Sequence, residues 1–144
     1  MRFLFPEADV PVVTVALPRP RSPKVVATIG SALSSLRERG VLLVGSGGAV
    51  HNLSRISFGA RDAPPEPWAV EFDAWVAGRL RERDFEALLA WRELAPHAAL
   101  AHPTTEHFDP LFVVEGAAAR PDELESIYEG CEFGNLSMRT FALR

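Results

Sequence analysis

The stretch VLLVGSGGAVHNL (residues 41–53) opens as a continuous apolar run, passes through three glycines and delivers a histidine. Residues 41–47 are too few for a stable helix and read as a buried strand. In open α/β sheets, ligands bind beyond the carboxyl ends of the strands. The turn after this strand therefore sets His51 at the mouth of a cleft. Gly45, Gly47 and Gly48 permit a sharp turn and close backbone approach. They do not spell a dinucleotide fingerprint, because Val50 stands where a third glycine is needed, and no lysine follows for a phosphate loop. An imidazole placed this way suits an acid/base catalyst or a metal ligand. It suits equally a structural histidine bonded to a backbone carbonyl.

Working outward, residues 10–17 (VPVVTVAL) are rich in β-branched side chains and predict a strand. Ser22 and Pro23 then start a helix as cap and first residue. Val25, Ile29, Leu33 and Leu36 form its apolar face, and Gly40 ends it. Strand, helix and strand in this order predict a βαβ unit. Downstream, residues 67–84 predict an amphipathic helix with Trp68, Phe72, Trp75, Val76 and Leu80 inward. A second helix over 84–94 is capped by Asp84. Residues 95–107 read as irregular, and 109–119 as a helix with Asp109 as cap and Pro110 in its first turn. Residues 126–133 and 136–143 predict two strands. Together these elements predict a single α/β domain over residues 1–144, a central mixed sheet flanked by helices.

The chain has 144 residues, 47% hydrophobic and 24% charged, as expected of one globular domain. Net charge is −4 with no long block of one sign, which argues against a nucleic-acid or anionic-membrane surface. No apolar run is long enough for a transmembrane helix. The single cysteine, Cys131, excludes an internal disulfide and a Cys-rich zinc site. The first ten residues lack the pattern of a secretory signal, so a cytoplasmic location is expected.

The second histidine-bearing stretch is AHPTTEHFDPL (residues 101–111). His102, Glu106 and His107 offer metal-binding atoms, but their spacing is not that of HExxH. His102 also suits a loop histidine that bonds the backbone. His97, between alanines and a proline, reads as structural or exposed. Cys131 has no basic run or helix start beside it and reads as a small buried hydrophobe. No serine lies in a nucleophile-elbow pattern.

Five blocks in order, FPEADVPVVTVAL, GVLLVGSGGAVHNL, PWAVEFDAWV, AHPTTEHFDPLFVVEGAA and GNLSMRTFAL, run across essentially the whole chain. Together they resemble the class III extradiol ring-cleavage dioxygenases, in the DOPA-dioxygenase-like branch of the LigB-type family. The resemblance implies the fold of the C-terminal half of that family. It implies an oxidoreductase with non-haem Fe(II), sometimes replaced by zinc in isolated protein, that opens a catechol-type ring with O₂. It makes His51 the acid/base residue and His107 a metal ligand, with Glu106 the alternative ligand and His102 a neighbour of the substrate. It also implies that two further metal-ligand histidines lie in an N-terminal half, and no histidine precedes His51 here. Two outcomes follow from the resemblance. One is an enzyme half completed by a separate N-terminal-half subunit or by further copies of this chain. The other is a non-catalytic, self-associating homologue.

Overall fold

Prolines and capping side chains set the helix starts. The computed structural model describes residues 4–19, 21–119 and 122–144. Its helices are α1 (Pro23–Leu33), α2 (Pro67–Arg81), α3 (Phe85–Leu89), α4 (Trp91–Leu94), α5 (Ala98–Ala101) and α6 (Asp109–Ala117). Ser22 Oγ accepts the Val25 N–H at 3.4 Å, and Asp84 Oδ1 accepts the Ala87 N–H at 3.1 Å. These side chains satisfy N–H groups that a first helical turn leaves free. Pro23, Pro67 and Pro110 each stand in a first turn. Among the described residues, no helix is long and apolar enough to cross a membrane.

The expected helix over 84–94 breaks at Ala90, whose backbone leaves the helical region at ψ 23°, giving α3 and α4. The expected irregular segment holds the short α5. Asp109 is not the cap expected of it. Phe108 occupies that position, and the buried Asp109 carboxylate instead receives Arg21 Nε and the Thr105 hydroxyl. A charge in the interior needs such partners more than the helix needs a side-chain cap.

α1 and α6 meet backbone to backbone. A methyl group on Gly30 would overlap the Val113 carbonyl, and one on Gly116 would overlap that of Ala27. The buried face of α1 is thus the small one, Val26, Ala27 and Gly30. The expected stripe of large residues lies to the side, with Val25 44% exposed. The main core forms where α2 (Phe72, Val76, Leu80) packs on Trp91 of α4 and on Phe108 and Phe112 at α6.

The chain is mixed α/β, with helices and small sheets, but its strands are not all where the pattern predicts. β1 (Leu124–Tyr128) pairs antiparallel with β4 (Thr140–Leu143), in the register Leu124 opposite Leu143. β2 (Cys131–Glu132) pairs with β3 (Leu136–Ser137), so each expected C-terminal strand is split in two. Residues 10–17 and 41–47 lie outside any helix or ladder among the described residues. Their side chains face solvent, with Val13 85% and Leu42 65% exposed. The predicted βαβ unit is therefore not closed here. A strand buried on both faces takes its hydrogen bonds from neighbouring strands, and no strand described in this chain lies in ladder contact with either segment.

The α1–α6 crossing generates a test. Alanine normally favours a helix over glycine by about 1 kcal/mol. Gly116→Ala should nonetheless lower the melting temperature, because overpacking at a backbone contact costs about 1–3 kcal/mol. Thermal unfolding followed by circular dichroism reads the sign directly, and Gly78→Ala in the open face of α2 is the control that should not destabilise.

Candidate active site

Segment 41–47 leads into a turn held at four points against residues 100–107. Gly48 N–H donates to the His107 carbonyl at 2.8 Å, and His51 N–H to the Ala101 carbonyl at 3.1 Å. His102 Nε2 bonds the Ala49 carbonyl at 2.8 Å, and Asn52 Nδ2 donates to the Leu100 carbonyl at 2.7 Å. A methyl on Gly47 would collide with the His107 carbonyl, so only glycine lets the turn come this close. The other side of the contact is equally fixed. Thr105 accepts the N–H groups of Phe108 and Asp109 through its carbonyl, and Arg21 holds the Asp109 carboxylate at the entry to α6.

This arrangement brings His51 and His107 face to face. Their rings are stacked, with centroids 3.5 Å apart and planes inclined by 16°. Two imidazolium ions cannot share that spacing without strong repulsion. Burial, and then the facing His107 ring, lower the pKa of His51 below the usual imidazole value, and the Glu106 charge opposes only part of that fall. His51 is therefore neutral near pH 7, with a ring nitrogen free to accept a proton.

Glu106 is exposed, and its Oε1 accepts the Thr104 hydroxyl at 2.7 Å. That bond, first among its causes, lowers the Glu106 pKa and keeps the carboxylate ionised. His102 lies behind the pair. It is fully buried, with Phe108 at 4.8 Å and Phe72 and Trp91 each at 5.6 Å between ring centroids. Its ring has no exposed edge in this chain. Its bond to the Ala49 carbonyl is the backbone bond that a loop histidine was expected to make. His97 is remote from the pair, exposed and paired with Glu71 at 2.8 Å. Cys131 is half-buried rather than fully buried, and burial pushes its thiol pKa up.

An open cleft of about 400 Å³ starts at His107 and runs between segment 43–49, α6 and β4, past Val44, Pro110, Val114 and Phe141. A second cavity, of about 320 Å³, lies between α2 and the hairpin around Cys131 and has no histidine in its wall. Among the described residues, no group of three or more His, Cys, Asp or Glu side chains is placed to hold a metal ion. His51, His107 and Glu106 thus do not by themselves fit a complete iron site. Sequence reasoning did not single out Asn52. Its signal is the Asn-Leu-Ser order, in which the Asn52 Oδ1 accepts the Ser54 N–H at 3.1 Å, an Asx-type turn.

A family model described as the catalytic LigB subunit of aromatic ring-opening dioxygenase matches residues 1–136. The chain is 36% identical to the 4,5-DOPA dioxygenase extradiol of Portulaca grandiflora, over 98% of this chain and 52% of that protein. It is 32% identical to the protein of the same name from Escherichia coli (strain K12), over 94% of this chain and 50% of that one. The crystal structure of an uncharacterized protein from Escherichia coli K12 matches with a TM-score of 0.88 at 31% identity, covering 97% of this chain and 58% of the other. The chain spans about half the length of the curated relatives it matches.

Burial of His102 makes stability depend on pH. Its pKa is pushed from 6.5 down to about 4, first by burial. Between those values the unfolded chain holds the proton and the folded chain does not, so stability rises with pH. The contribution is complete above pH 6.5 and is lost as pH falls to about 4, by up to about 3 kcal/mol. Urea unfolding at pH 7 and pH 4.5 should show a smaller acid loss in His102→Gln than in the parent chain; equal losses would contradict this assignment.

Proposed function

The chain belongs to the LigB family of aromatic ring-opening dioxygenases, and on that premise we propose that it is half of an extradiol ring-cleaving enzyme. The substrate class is a catechol-type aromatic, opened with O₂ in aromatic-compound catabolism, in the cytoplasm. The observation that carries this reading is the His51–His107 stack, whose His107 lines the cleft. The neutral His51 ring takes a proton from a diol hydroxyl and returns it to the opening product. His107 is the ligand this chain contributes to Fe(II), with Glu106 as the alternative donor. Iron would supply the joint binding of diol and O₂, a chemistry that needs ligands beyond those of this chain.

The missing ligands come, in this reading, from a partner polypeptide corresponding to the other half of the relatives' length. The exposed apolar segments 10–17 and 41–47, outside any ladder among the described residues, support it, because uncovered apolar surface of this kind is where a partner packs. The same uncovered surface favours self-association when the chain is alone, so a homo-oligomer is expected in the absence of the partner. They also support the second reading, a non-catalytic module that associates through these segments.

The test is anaerobic mixing of the purified chain with an N-terminal-half polypeptide of a relative and Fe(II), followed by a catechol and O₂. Oxygen uptake with appearance of the yellow ring-opened semialdehyde is expected only in the mixture. His51→Ala should lower the rate by about 10²–10⁴-fold while iron stays bound. His107→Ala should lose iron and rate together. Association of the two polypeptides without turnover on any catechol would leave the binding-module reading in place of the enzyme.

A further inference from the structure

We propose that His102 is a positioning residue that sets the approach of His51 to His107 through the Ala49 carbonyl. The inference rests on reading those two histidines as the reacting pair, but its test needs no turnover.

The chemistry of the bond fixes the tautomer. A carbonyl oxygen only accepts, so Nε2 of His102 carries the proton that bridges the 2.8 Å to Ala49. Nδ1 is then a bare acceptor, and it is buried with no partner among the described residues. An unpaired buried acceptor is unfavourable. A phenylalanine would fill the same aromatic cage of Phe72, Trp91 and Phe108 without that cost. What the imidazole offers and phenylalanine cannot is the donor to Ala49.

Ala49 is where such a donor matters. It sits between Gly48, bonded to the His107 carbonyl, and His51, bonded to the Ala101 carbonyl. Upstream, residues 42–47 make no backbone hydrogen bond among the described residues, so the turn is not held from that side. The cage also touches the other half of the stack, since Phe108 follows His107 directly and its ring lies 4.8 Å from that of His102. One buried ring thus relates both histidines to each other.

The experiment uses the full chain labelled for NMR, as His102→Phe and His102→Gln. Gln keeps an N–H donor near the position of Nε2; Phe keeps the packing and drops the donor. In His102→Phe, the ring protons of His51 and His107 should lose the shift that stacking imposes, and the Gly48 and His51 amides should exchange about tenfold faster. In His102→Gln both signatures should persist. Leu88→Ala, a core substitution outside this contact, should lower stability without moving the two histidine signals. An intact stack in His102→Phe, or a lost stack in folded His102→Gln, would overturn the proposal. If the Phe variant does not fold, His102→Leu, a smaller apolar side chain that also drops the donor to Ala49, takes its place with the same two expected losses. Absence of dioxygenase activity in a reconstituted enzyme would leave these outcomes unchanged.

Discussion

The carbonyl group of His107 is the point on which the candidate site depends. It accepts the Gly48 N–H and occupies space that any side chain at residue 47 would need. This contact ties two segments more than fifty residues apart into one turn. On one side the ring of His51 follows; on the other, the ring of His107 projects from the same residue whose carbonyl is engaged. The stack of the two imidazoles follows from a backbone contact that glycine makes possible. Arg21, Asp109 and Thr105 brace the helix side of this contact, and Asn52 and His102 brace the turn side.

Local signals were legible at most helix starts, Asp109 excepted, since its carboxylate is taken by Arg21 and Thr105. Ser22 and Asp84 cap their helices as their chemistry predicts, and the three first-turn prolines mark helix starts. Long-range contacts were not. Gly30 and Gly116 carry no local signature of the helix crossing they permit, because that signature is shared between two distant segments. Ala90 breaks a helix that its neighbours favour. For segments 10–17 and 41–47 the composition predicts strands, yet a strand is defined by its neighbours, and these are not among the ladders of this chain. His51 and His107 were marked by a turn and by the resemblance of whole blocks; their stacking was not readable from the spacing. The full burial of His102 was not readable either, since a loop position gives no warning of an aromatic cage.

Fold and family combine into one picture of the chain. The helical layer with its aromatic core is complete around Phe72, Trp91 and Phe108. Segments 10–17 and 41–47 expose most of their apolar side chains, and residues 43–49 line the cleft that also holds His107. Relatives that are about twice as long align with nearly all of this chain at 32–36% identity. His51 and His107 stack beside Glu106, and among the described residues no group of three or more His, Cys, Asp or Glu side chains is placed to hold a metal ion.

The central claim is that this chain holds part of an iron site and not the whole of one. Anaerobic equilibrium dialysis against Fe(II), with the chain alone and with the N-terminal-half polypeptide present, measures it most directly. The account predicts far less than one iron per chain alone and close to one per complex. Stoichiometric iron on the chain by itself would contradict it, and would mean that the ligands are all within these residues or shared between copies of them.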